Sequence, residues 1–359
     1  MMRTVLLSDI CSYVNSKIQV EQVQLTDYVS TENLLQNKGG LSVANKLPSG
    51  KVTVFQAGDV LVSNIRPYFK KIWLADRPGG ASNDVLVFRK LNDNVYEKYL
   101  YYILADDRFF AFSKASASGS KMPRGDKTQI MNYPVNLPPL DQQKKIANIL
   151  GSLDEKIELN RRMNETLEQL GQALFRHYFI DNPDAKNWKK RSLGEFFPVK
   201  TGKKDANFGT KDGKFPFFTC AQTISRAPSY SFDGSAILIA GNGDFNIKYY
   251  TGKFEAYQRT YVLIPHNEEL LGFLYFLIKK DLSLITGGSR GSVIKFITKG
   301  MIENYRVELP DDNDLAAFAP IFSELLALIS HNNEQVYNLI ALRDTLLPQL
   351  MSGKVGQIV

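Results

Sequence analysis

Two stretches hold the residue types that can read nucleic-acid bases. "SNIRPYFKK", Ser63 to Lys71, and "GNGDFNIKYYTGK", Gly241 to Lys253, mix Asn, Arg and Lys with aromatic rings. Such side chains offer hydrogen bonds to base edges and flat faces for stacking. The candidates are Asn64, Arg66, Tyr68, Lys70 and Lys71 in the first stretch, and Asn242, Asn246 and Lys248 in the second, with Arg259 just beyond it. Two further segments, "SASGSKMPRGDK" and "TGGSRGSVIKF", are rich in Gly and Ser and carry charge. Small residues let backbone amides approach phosphates, and Lys or Arg supplies the counter-charge. Here the candidates are Ser118, Gly119, Ser120, Lys121 and Arg124, then Arg290, Ser292 and Lys295. Of these, Lys121, Arg124, Arg290 and Lys295 are expected to touch mainly phosphate.

No catalytic set accompanies them. An adenine methyltransferase needs an Asn-Pro-Pro-aromatic tetrad, and "NLPPL" at Asn136 is broken by Leu137. "GNGD" at Gly241 lacks the following helix of a nucleotide-binding loop. A metal-dependent nuclease needs clustered carboxylates with a Lys, and "NPDAKNW" at Asn182 reads as a polar connector. There is no Gly-Lys-Ser/Thr loop for ATP, and His177, His266 and His331 are scattered. The expectation is a non-catalytic chain with no cofactor and no metal.

The bulk numbers fit a globular protein of two or three domains. The chain has 359 residues, 44% hydrophobic and 23% charged. No uninterrupted apolar run has the length of a membrane span, and Asp9 interrupts the N-terminal apolar stretch where a signal peptide would continue. Two distant cysteines, Cys11 and Cys220, exclude a disulfide framework and point to a reducing cytoplasm. Net charge is +7, which permits a polyanionic partner without requiring one. The basic residues concentrate in "KNWKKRSLGEFFPVKTGKK" and "KASASGSKMPRGDK".

What must position the candidate residues is a repeat. Adding 172 to the numbering aligns Ser118–Phe179 with Arg290–Met351 without a gap, and 17 of the 62 positions are identical. These include Lys127/Lys299, Asn132/Asn304, Tyr133/Tyr305, Leu137/Leu309 and Asn160/Asn332. So many identities mark a tandem duplication. Fainter echoes lie upstream: "LLSDI" with "SLGEF", "DVLVFRK" with "TYVLIPH", and "YLYYIL" at Tyr99 with "FLYFLI" at Phe273. Both backs carry apolar residues at alternating steps of four and three. The seam is Ile146, Leu150, Leu153, Ile157, Asn160, Asn164, Leu167, Leu170 and Leu174 in one copy. In the other it is Phe318, Phe322, Leu325, Ile329, Asn332, Val336, Leu339, Leu342 and Leu346. That spacing predicts two helices of about 35 to 40 residues, pairing along a coiled-coil seam with a rough two-fold relation. Asn160 and Asn332 share a seam position and are suited to fixing register. The Pro139→Asp311 difference between copies is expected only to loosen the turn into the helix.

Each front alternates short β-type runs with turns. "KVTVF", "DVLVSNI", "KKIWLA" and "NDVLVFRK" are strands in the first, and "FPFFTC", "SAILIAG", "NIKYYTG" and "RTYVLI" in the second. One helix is predicted near Tyr96 and one near Glu269. The fold class is α+β, with two α/β domains joined by two long helices.

The stretch "LPPLDQQKKIANILGSLDEKIELNRRMNETLEQLGQALFRHYF" resembles the central conserved region of the DNA-specificity subunits of type I restriction–modification enzymes. "LRDTLLPQLMSGKV" is similar to that family's ending, and "GDVLVSNIRPYFKKI" and "GNGDFNIKYYTGKFEAYQRTYVL" are similar to its target-recognition domains. The resemblance implies recognition domains at 1–136 and 181–308 and helical regions at 137–180 and 309–359. It implies that each recognition domain reads half of a split site in double-stranded DNA, and that the two helices form an antiparallel coiled coil that sets the spacer. It also implies partners: two methyltransferase subunits, which hold S-adenosylmethionine, and restriction subunits using ATP and magnesium that join through them, in the cytoplasm. The alternatives are a stand-alone DNA methyltransferase or nuclease with a diverged site, and a DNA-binding regulator working without partners.

Overall fold

In the computed structural model, residues 3–119, 122–243, 245–287 and 296–353 are described. They form two compact units. One comprises residues 1–157 with 337–359, the other 158–336. The division passes through both long helices, Leu140–Phe175 and Asp312–Met351.

In the first unit, Cys11–Tyr13, Val85–Lys90, Val60–Ser63 and Ile72–Leu74 lie side by side in an antiparallel sheet. A second sheet orders Lys17–Gln19, Lys51–Phe55, Gly79–Ala81 and Tyr28–Val29, the last pair parallel. Arg3–Leu6 pairs with Pro134–Leu137 as a separate ribbon. The helix expected near Tyr96 is two helices, Glu97–Ala105 and Asp107–Ala115. Asp106 causes the break: its carboxylate accepts from the Arg108 amide at 2.8 Å and starts a new helix.

The second unit orders Val199–Thr201, Thr260–Leu263, Phe232–Ala240, Ile247–Ala256, Phe215–Phe218 and Ser225–Ala227 in one sheet. Lys189–Ser192 and Arg306–Leu309 form its ribbon, and Leu271–Thr286 its main helix. The echo between "LLSDI" and "SLGEF" is a shared 3-10 turn after the ribbon strand. Leu7 N donates to Tyr133 O at 2.9 Å, and Leu193 N to Tyr305 O at 3.0 Å.

The long helices belong to the cores of the units. Ile146 and Leu150 pack with Leu347 and Leu350 around Phe88, Tyr99 and Phe109 in the first unit. Phe175 and Phe179 pack with Phe273, Phe276 and Phe322 in the second. Inside each unit the helices run antiparallel. Asp154 meets Arg343 in the first. In the second, Asn160 meets Gln335, and Asn164 meets Asn332 and Asn333. Ile157, Asn160, Phe322, Leu325, Ile329 and Asn332 are buried, while Leu153, Leu167, Phe318 and Leu339 are half-buried. The seam departs from expectation at its end. Leu170 and Leu342 are exposed, and the buried stripe continues through Gly171 and Phe175, and through Arg343 and Leu347. A helix of 3.6 residues per turn drifts away from a strict 3.5-residue repeat, so the inward position slips by one.

Asp311 does more than loosen a turn. Its Oδ1 accepts from the amides of Asn313 and Asp314 at 3.1 and 3.0 Å, capping the second long helix. That helix is long and apolar enough, by length and composition, to cross a membrane. Its apolar face is buried in the two cores just described.

Candidate nucleic-acid interface

In the first unit, two segments distant in sequence are stitched together by their backbones. The strand Val60–Ser63 runs into Asn64 and Ile65, and Ile65 bridges to Arg124. Gly125 N donates to Asn64 O at 3.3 Å and Arg66 N to Pro123 O at 2.8 Å. Arg124 and Ser118 exchange two amide–carbonyl bonds at 3.0 Å. The second unit repeats the bridge and one of these backbone bonds, with Phe296 and Ile297 lying 172 residues on from Arg124 and Gly125, and Gly241 and Asn242 lying 177 residues on from Asn64 and Ile65. Asn242 bridges to Phe296, and Ile297 N donates to Gly241 O at 3.0 Å. Gly241 is required there, because a Cβ would lie 2.5 Å from the Arg259 carbonyl oxygen. The two loops therefore share a frame and differ in the side chains it presents.

The frame sorts the candidate side chains. Tyr68, Ser118, Gly119, Arg124 and Arg259 are exposed. Arg124 pairs with Asp84 at 2.9 Å. Tyr68 stands edge-on to Phe69, and the Arg66 guanidinium lies 6.0 Å from the Phe69 ring. Asn64 is buried, with its Oδ1 lacking a hydrogen-bond partner, as does the buried Nε of Arg66. Several predicted lysines are held by acceptors of their own unit. Lys70 pairs with Asp107 at 2.6 Å, and Lys71 donates to the Thr31 carbonyl. Lys248 donates to Asn246 Oδ1, and Asn246 Nδ2 to the Cys220 carbonyl at 3.0 Å. Burial lowers the pKa of Lys71 and of Lys248. Asn242 is half-buried at the bridge. Ser120, Lys121, Arg290, Ser292 and Lys295 lie outside the described residues.

Three residues important to this loop were missed in the sequence. Lys38 and Asp107 brace the Arg66–Lys70 turn, and Asp84 orients Arg124. The only sequence signal was the Asn-Lys-Gly-Gly run at Asn37, typical of a left-handed turn. Among the described residues, no group of three or more His, Cys, Asp or Glu side chains is placed to hold a metal.

Two units with one loop frame and different loop side chains make a duplicated recognition scaffold. The family model described as "Type I restriction modification DNA specificity domain" matches the chain twice, at residues 2–169 and 185–341. The chain belongs to that family, the DNA-specificity subunits of type I restriction–modification enzymes. The EcoDI specificity subunit of Escherichia coli is 42% identical over 173 residues, covering 47% of this chain and 39% of the relative. The match thus spans well under half of that relative's length. The MjaIX specificity subunit of Methanocaldococcus jannaschii is 22% identical over 373 residues, covering 92% of this chain and 85% of the relative. Among solved structures, the type I S subunit from M. genitalium has the same fold, with a TM-score of 0.59 at 19% identity, covering 98% and 96% of the two chains.

Proposed function

We propose that the chain reads a split duplex-DNA site, one half with each unit, and contributes no catalytic group of its own. The observation that carries this is the shared frame. Gly125 N donates to Asn64 O, and Ile297 N to Gly241 O, so each unit joins its two loop segments by a backbone bond of the same kind. The side chains beside it differ: Arg66, Tyr68 and Arg124 on one frame, Asn242, Phe296 and Arg259 on the other. A common support with different readers suits two different half-sites. Arg124 and Arg259, exposed at the loops, suit phosphate contacts. In this reading the recognition domains are residues 1–136 and 181–308, and the helical regions are 137–180 and 309–359. The helices fix the gap between half-sites and dock two methyltransferase subunits, through which restriction subunits join, in the cytoplasm. Leu159, Met163 and Leu170 on the outer side of the first helix support a docking role, since they remain exposed after the helix has filled its core. The test exchanges residues 181–308 for the matching domain of a relative and sequences the methylated motif. One half of the motif should change. A change in both halves, or in neither, overturns the reading.

A further inference from the structure

Four non-glycine residues among those described have left-handed backbone conformations: Asn37, Lys38, Arg66 and Lys70, with φ of 55°, 59°, 51° and 50°. Each is unfavourable for a residue with a Cβ, and such strain persists only where surrounding structure enforces it. All four lie in one place. Asn37 N donates to Phe69 O and Lys38 N to Lys70 O, both at 2.9 Å. The segment Asn37–Lys38 therefore grips the far side of the Arg66–Lys70 turn, which carries the Arg66 and Tyr68 side chains.

The grip is anchored by charge. Lys38 is 8% exposed, rare for a lysine unless its ammonium is paired. That ammonium lies 3.2 Å from Asp107 and 3.2 Å from Asp344. Asp107 also takes Lys70 at 2.6 Å, so the turn is held by its backbone and its side chain together. Asp344 belongs to the second long helix and bonds Arg343, which itself binds Asp154 on the first. A line of alternating charges thus runs within this unit from the helix pair to the turn. In the other unit the position equivalent to Asp344 is Gln172, whose Nε2 has no hydrogen-bond partner.

We propose that Lys38 is a positioning residue for base recognition by the first unit. It touches no DNA; it holds the Arg66–Lys70 turn in the strained form that presents Arg66 and Tyr68. This rests on the reading that each unit recognises one half-site. Lys38→Met keeps the stem and removes the charge, Lys38→Arg keeps the charge, and Asp344→Asn loosens the anchor at a half-exposed carboxylate. The full chain, co-purified with its methyltransferase subunits, is selected on a randomised duplex library at several salt concentrations. The half-site that changes when residues 181–308 are exchanged for the matching domain of a relative identifies the second unit's contribution. Lys38→Met should cut discrimination at the first unit's half-site by about tenfold, the cost of losing a charged hydrogen bond. The other half-site and the salt slope should stay as in the wild type, and Lys38→Arg should recover most of the loss. If Lys38→Met does not fold, Asp344→Asn should give the same one-sided loss in weaker form. Unchanged discrimination in both halves overturns the proposal while leaving split recognition intact. A salt slope lowered by about one unit also overturns it, because Lys38 would then touch phosphate. A wild-type chain selecting no split motif overturns the reading beneath it.

Discussion

Arg343 donates from Nη1 to Oδ1 of Asp154 at 2.8 Å, joining the two long helices inside the first unit. Tyr102 donates to the other oxygen of the same carboxylate at 2.7 Å. The repeat puts Gly171, Leu326 and Phe276 at the three equivalent positions of the second unit. There a Cβ on Gly171 would lie 2.2 Å from the Phe276 ring, so the contact is close apolar packing. One position set is filled once by an ionic triad and once by an apolar one.

The two solutions predict opposite mutational outcomes. Asp154→Ala strands a guanidinium that is only 5% exposed, with Asp344 as its remaining partner. The first unit should lose about 2 kcal/mol. Converting all three residues, Tyr102→Phe with Asp154→Leu and Arg343→Met, should stay within about 1 kcal/mol of wild type, since no buried charge is left unpaired. Each unit has one tryptophan, Trp73 or Trp188, so urea unfolding of a Trp188→Phe background reports the first unit alone. A neutral single variant beside a strongly destabilised triple would sink the idea.

Acid should loosen the first unit through Asp107. Burial alone would raise its pKa, but hydrogen bonds and charge from Lys70 and Lys38 outweigh this and hold it below the ordinary 3.8. A carboxylate with a depressed folded pKa adds stability above 3.8 and loses it as pH falls through the folded value. The thermal midpoint followed by Trp73 should therefore drop as pH is lowered past 3.8. Asp107→Asn should start lower at neutral pH and fall less steeply over the same range. Parallel curves for the two proteins would show that other carboxylates control the acid response.

The asparagines of the helix pair should set register at some cost in stability. Asn332 Nδ2 donates to Asn164 Oδ1 at 2.9 Å, and Asn160 Nδ2 to Gln335 Oε1 at 3.0 Å. Asn332→Ala leaves the Asn164 oxygen without this donor and should cost about 1 kcal/mol. Asn160→Leu with Asn332→Leu should instead raise the unfolding midpoint, while size-exclusion with light scattering shows mixed association states. A double variant that is both more stable and uniformly monodisperse would mean that register is fixed elsewhere.

The long helices and most strands were legible because they repeat a simple period. The seam of fours and threes gave both helices, and β-rich runs such as "DVLVSNI" gave the central strands. What escaped depended on single polar residues. Asp106 split one helix, Asp311 capped another, and Arg343 took a core position that the pattern gave to Leu342. Composition picks out the candidate loops but cannot tell a lysine held by its own unit from one that is not. Lys70, Lys71 and Lys248 find acceptors inside their own unit. Lys38 and Asp107 stayed hidden because their partners are 306 and 37 residues away in the chain.

The gap between half-sites should follow helix length, and the helix contacts show where to test this. Insertion after Asn160 alone is a poor site, because Asn160 is buried on Gln335 and Asn164 is bonded to Asn332 just beyond. Adding four residues to one helix would pull one partner from the other. The unit boundary lies between Ile157 and Glu158 on one helix and between Val336 and Tyr337 on the other. Inserting four residues at both points keeps the Asp154–Arg343 and Asn160–Gln335 contacts within their own units. Each insertion lengthens its helix by about 6 Å and turns it about 40° past one full turn, keeping the apolar stripes nearly in phase. With DNA rising about 3.4 Å per base pair, the recognised gap should widen by one or two base pairs. Inserting two residues at each point would rotate the stripes by about 200° and should abolish recognition. The measurement is the methylated motif of a host carrying each variant with its methyltransferase subunits. An active four-residue variant with an unchanged gap would place control of the spacing in the recognition domains rather than in the helices.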